Sequence, residues 1–140
     1  MIFLEFWANN MRYIIFINSK NVEFKQTVTN LGIDWNVRKN DDVIELYYKG
    51  QENHYVILEC SAHIEQDYDE DEMLFINEIF EVPRFCYLKY SDLETLRIAL
   101  GDLVNSGKCI IDNDHGELLP GEEFVIKWKS NPKWNWNLVE

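Results

Sequence analysis

The sequence predicts a single α+β domain in which a mainly antiparallel sheet of about five or six strands packs with three helices. Three observations carry that expectation. The chain has 140 residues, 46% apolar and 14% aromatic, which is enough to bury a core without staples and too apolar for disorder. No repeat, low-complexity tract or Pro/Gly/Ser-rich linker divides it. Short β-branched and aromatic runs, two of them joined by a hairpin signal, outnumber the helix-period segments.

The elements follow in order. Residues 12–17, "RYIIFI", are apolar on both faces, as an interior strand requires. In "NSKNVEFKQTVTNLG", Val22, Phe24, Val28 and Leu31 fall at roughly helical spacing, with Asn18 or Ser19 as a cap and Gly32 as a stop. "DVIELYYK" and "HYVILEC" form a hairpin with its turn at Gly50 to Asn53. In "MLFINEIFEVP", Leu74, Ile76, Phe80 and Val82 alternate along one strand face, and "RFCYLKY" continues after a bend, bulge or edge at Pro83. "SDLETLRIALGDLVNSG" is the clearest helix. Ser91 and Glu94 make a capping box, Leu93, Leu96, Leu100, Leu103 and Val104 make the buried stripe, and Gly107 is the stop. "KCII" is a short strand. "GEEFVIKWKSNP" is a last helix, with Glu122 and Glu123 at its positive end, Lys127 and Lys129 at its negative end, and Pro132 closing it.

The formal net charge is −12, and it is concentrated. Ten acids and no lysine or arginine lie between Gly50 and Pro83, whereas the rest of the chain holds 15 acids against 13 bases. The centre of this field is "EQDYDEDE", Glu65, Asp67, Tyr68, Asp69, Glu70, Asp71 and Glu72 being the candidate contact residues. Such a field repels phosphate backbones and anionic lipid and attracts basic partners. The bland reading of the same run is a solvated loop. Tyr68 favours docking, because an aromatic anchor amid charge is typical of binding hot spots.

Three widely spaced cysteines, Cys60, Cys86 and Cys109, form no CxxC pair, and suggest buried thiols in a reducing cytosol rather than a disulfide framework or zinc site. The leading "MIFLEFWANN" carries Glu5 and no basic residue, unlike a signal peptide. The strand-like "MRYIIFIN" offers Met11 as an alternative start, with residues 1–10 an extension ahead of it. Of the five tryptophans, Trp128 lies one turn after Phe124 and belongs with the core, whereas Trp134 and Trp136 are expected to tuck back onto the domain.

One stretch, "IDNDHGELLPGEEF", mimics a site. As a calcium loop starting at Asp112 it fails on spacing, since Glu117 stands where glycine is needed and Gly116 where a ligand is needed. As a small metal-dependent hydrolase it would use Asp112, Asp114 and His115, but no second histidine is near. A turn accounts for the same residues, with Asp and Asn bonding their own backbone and Gly116 supplying a positive φ.

The run "IIDNDHGELLPGEEFVIKWKSNPKWNW" resembles the C-terminal part of small bacterial immunity proteins of polymorphic or contact-dependent growth-inhibition toxin systems. Their pattern passes from a strand through D-N-D-x-G and L-P-G-x-E-F into a helix and P-x-W-x-W. The likeness covers 27 of the 140 residues, Ile110 to Trp136. It implies a cytoplasmic, non-enzymatic protein that neutralises the C-terminal domain of a cognate toxin, with no cofactor, metal, nucleic acid or membrane partner. The charge argument agrees, since nuclease-type toxins carry basic clefts that an acidic protein can occupy. The rivals are the metal-dependent hydrolase and an adaptor domain for another basic protein.

Overall fold

The computed structural model describes residues 12–29, 31, 34–40, 42–113 and 116–133. They build a seven-stranded antiparallel sheet from β1 (Arg12–Ser19), β2 (Trp35–Asn40), β3 (Val43–Tyr48), β4 (Tyr55–Cys60), β5 (Pro83–Tyr90), β6 (Ile110–Asp112) and β7 (Leu118–Pro120). The spatial order is β2-β3-β4-β5-β1-β6-β7. The helices are α1 (Phe24–Thr29), α2 (Glu70–Ile79), α3 (Leu93–Ser106) and α4 (Gly121–Ser130), and a short 3-10 helix spans Ile64–Asp67. The α+β architecture is as the sequence predicts, with a wider sheet. The added strands are its two edges, β2 and β7, where burial gives little signal: β2 buries only Trp35.

β1 holds the sheet together. It pairs with β5 along its whole length, Arg12 opposite Tyr90 through Ser19 opposite Pro83, and with β6 from Ile15 to Ile17. Side chains alternate across a strand, so its apolar run feeds two cores. On one face Ile14 and Phe16 join Leu46, Leu58 and Leu88 beneath Leu96, Leu100 and Leu103 of α3 and Phe124 of α4. On the other, Ile15, Ile17, Phe85 and Ile110 pack against Ile64, Ile76 and Phe80.

Residues 73–82 are not a strand. α2 occupies most of them, and the reason lies just upstream. The Asp69 carboxylate accepts from the Glu72 N–H at 2.8 Å, while the Glu72 carboxylate accepts from the Asp69 N–H at 2.9 Å, a complete capping box. Glu70, Asp71 and Glu72 add negative charge to the helix's positive end. The apparent alternation dissolves, because Leu74 is 64% exposed while Met73, Ile76 and Phe80, spaced three and four apart, face the sheet.

The cap of α3 also differs. Asp92, not Ser91, accepts from the Thr95 N–H (2.8 Å) and hydroxyl (2.9 Å). Ser91 ties the helix start to β4 by accepting from the Tyr55 N–H at 2.9 Å and donating to the Tyr55 carbonyl at 3.2 Å. Burial works to raise the Asp92 pKa, but the hydrogen bonds from Thr95, His54 and Ser91 outweigh it and leave the carboxyl below its ordinary value. The first helix, α1, is shorter than the periodicity suggests, with Ser19 remaining in β1. Gly32 lies outside the described residues.

α4 begins as expected, and Gly121 shows why the chain needs glycine there. Its N–H donates to the Cys109 carbonyl at 2.8 Å, which draws the helix onto the chain leading into β6. A Cβ would lie 2.4 Å from Cys109 Sγ and 3.1 Å from Val104 Cγ2. Gly121→Ala is therefore expected to destabilise by about 1–3 kcal/mol through overpacking, although alanine is the better helix former. A lower urea midpoint at unchanged slope would show it. No described helix is long and apolar enough to cross a membrane.

Candidate functional site

The acidic run forms the corner between β4 and α2, and its members do different work. Glu65 and Asp67 are exposed on the 3-10 helix, and Glu70 and Asp71 are exposed on the first turn of α2. Asp69 and Glu72 are committed to the capping box. Tyr68 is half-buried, its ring 5.5 Å from that of Phe85 and its hydroxyl donating to Asp112 Oδ2 at 2.7 Å. Aspartate at 112 thus serves as an acceptor beneath the acidic corner, joining β6 to it across 44 positions of sequence.

Of these residues Asp67, Tyr68, Glu72 and Asp112 line a cleft of about 290 Å³, together with Tyr13 and Tyr87 among others. Tyr87 lies on the same side of the sheet as α2, and the strand registers carry that floor on over the half-buried outward residues of β4 and β3. That floor carries Tyr13 and Tyr87 in edge-to-face contact at 5.2 Å, and Tyr47 and Tyr55 with tilted rings at 6.3 Å. The strand registers extend it through Glu45, Ile57 and Lys89, which sit side by side across β3, β4 and β5. Its basic groups are matched locally: Lys89 meets Glu59 at 2.8 Å, and Arg38 meets Glu52 at 2.9 Å while covering the Tyr47 ring. The Tyr47 hydroxyl donates to Glu45, and this bond, with burial, pushes its pKa up to about 12.

Two of the ten acids between Gly50 and Pro83 are therefore paired with bases from neighbouring strands. No ion pair between described residues engages Glu65, Asp67, Asp69, Glu70, Asp71 or Glu72. The tyrosine floor is not legible in the sequence. Its signal is tyrosine at single positions of several strands, which only the registers bring together.

The "DNDHG" stretch has the form of a turn where it is described. The Asn113 N–H donates to the Glu117 carbonyl and its Oδ1 accepts from the Glu117 N–H, each at 3.0 Å, and Gly116 has φ 98°. Asp114 and His115, the other two residues of the hydrolase alternative, lie outside the described residues, as do Trp134 and Trp136. Among the described residues no three of His, Cys, Asp or Glu gather where they could hold a metal ion. A larger cleft, about 940 Å³, lies elsewhere, between the β1–α1 connection and the end of α3. Its polar groups Asn18 and Thr27 are bonded to each other at 3.4 Å. Comparison with protein-family models, curated proteins and solved structures gives no match.

Proposed function

We propose that the protein is a stoichiometric inhibitor of a basic protein, an immunity partner that occupies the positive cleft of a cognate bacterial toxin domain. The supporting observation is the junction of an acidic corner, whose carboxylates make no ion pair with another described residue, with a sheet face on which the strand registers gather four tyrosines. Carboxylates at the rim steer a basic surface inward, and aromatic side chains supply rigid contact area once it arrives. Glu65, Asp67, Glu70 and Asp71 provide the free charge in this reading, with Tyr68 and Glu72 at the boundary between rim and floor. The protein transforms no substrate in this role. The C-terminal likeness to immunity proteins supplies the partner class, and the charge supplies its sign.

The test is association with the C-terminal domain of the protein encoded immediately upstream of this gene, followed by stopped-flow fluorescence over a salt series. A one-to-one complex is expected, with an association rate that falls steeply as the Debye length shrinks from about 10 Å at 0.1 M to about 3 Å at 1 M salt. A salt-independent rate would sink the acidic docking surface. No complex with that domain, with capture of a different basic protein instead, would assign the adaptor role.

A further inference from the structure

Cys60 ends β4 and Cys86 lies in β5, and the register sets them directly opposite each other. The flanking bonds, Ser61 N–H to the Phe85 carbonyl and Ser91 N–H to the Tyr55 carbonyl, mark the hydrogen-bonded pairs of this ladder. Cys60 and Cys86 therefore form one of the intervening non-hydrogen-bonded pairs, where opposite side chains approach most closely. Their sulfurs are 2.8 Å apart, both thiols free. A disulfide needs about 2.05 Å between sulfurs and a Cα separation within the range that facing strand residues provide.

The two thiols differ in access. Cys86 is wholly buried, whereas Cys60 is partly exposed at a cleft of about 600 Å³ that also presents Lys20, Lys39, Asp42, Glu65 and Arg84. Among the described residues lining that cleft, three cations, Lys20, Lys39 and Arg84, accompany two carboxylates, Asp42 and Glu65. The hydrogen bond from Cys86, and then the Arg84 guanidinium, favour the Cys60 thiolate over the opposing effect of burial. Cys86 shifts the other way, chiefly because of Cys60 and then burial.

We propose that Cys60 and Cys86 form a thiol–disulfide exchange site for an anionic low-molecular-weight disulfide of the glutathione type. The Cys60 thiolate attacks one sulfur of that disulfide, breaking its S–S bond. One thiolate leaves and takes a proton from solvent, replacing the proton Cys60 gave up. The mixed disulfide removes the negative charge that disfavours Cys86 ionisation. Cys86 then releases its proton and attacks Cys60 Sγ, expelling the second thiol. The protein dithiol is oxidised by two electrons to the Cys60–Cys86 disulfide, and the small disulfide is reduced to two thiols. The new bond staples the ends of the segment that carries the 3-10 helix and α2, so the acidic corner would be tied to the sheet.

The full-length protein is incubated with glutathione disulfide and followed by intact-mass and peptide mass spectrometry. The wild type is expected to lose two hydrogens and give a linked Cys60–Cys86 peptide. Cys86→Ser should stop at a glutathionyl adduct on Cys60, and Cys60→Ser should form neither product. Lys20→Gln/Lys39→Gln, which leaves both thiols in place, should react about tenfold more slowly. A wild type that reacts no faster than Cys60→Ser overturns the proposal. So does a wild type that accumulates the same adduct as Cys86→Ser, or one modified only at Cys109. Equal rates with the cationic disulfide cystamine would overturn the anionic preference.

Discussion

Lysine at Glu65, Asp67, Glu70 and Asp71 together is expected to slow association with the basic partner by about ten- to a thousandfold and to flatten its salt dependence. All four side chains are exposed, and no ion pair between described residues holds them. The choice of positions matters more than their number. Asp69 and Glu72 belong to the same run, yet they cap α2, and Asp69→Ala removes a cap worth about 1 kcal/mol. A binding loss in that variant would report a frayed helix as readily as a lost contact. Reversal at Glu70 and Asp71 also opposes the helix dipole, at about 0.3–1 kcal/mol each, so the fourfold variant is to be checked by circular dichroism and thermal melting. With the fold intact, unchanged association kinetics would remove the acidic corner from the interface. Faster dissociation alone would not replace the missing effect, because rim charges act chiefly on encounter.

The parts of the fold that the sequence discloses are those where one physical signal dominates. β1 is apolar on both sides because two cores need it, and so short an apolar run fits little besides an interior strand. α3 and α4 combine a 3.6-period stripe with terminal residues of the right chemistry. The segment from Met73 to Val82 misleads because two signals compete in it. Its isoleucines and phenylalanines favour a strand, while Asp69 and Glu72, three apart, announce a helix start. The prominence of these acids as a charged surface masks their role as a cap. The same duality limits the site. Charge is local in sequence and can be read directly, but the floor formed by Tyr13, Tyr47, Tyr55 and Tyr87 exists only through strand pairing. Cys60 and Cys86 are 26 positions apart and become neighbours the same way.

Phe16→Ala is expected to cost about 3–5 kcal/mol, the largest single stability loss among these predictions. Phe16 is 1% exposed, at the middle of the strand that joins both halves of the sheet. Its neighbours across the ladder are Cys86 on one side and Ile111 on the other, and α3 and α4 close the core above it. Few of these can move into the space vacated by the ring, because β1 is held on both edges. A domain typically has only about 5–15 kcal/mol of net stability, so the variant should sit near the edge of folding at moderate temperature. Urea unfolding with an unchanged slope and a much lower midpoint is the expected record. The contrast with Tyr13→Ala separates spine from surface. Tyr13 is three residues away on the same strand but 37% exposed, and its loss should leave stability far closer to the wild type while weakening the partner contact. Comparable losses in the two variants would mean that Tyr13 is part of the core, and the docking surface would then lose that part of its floor.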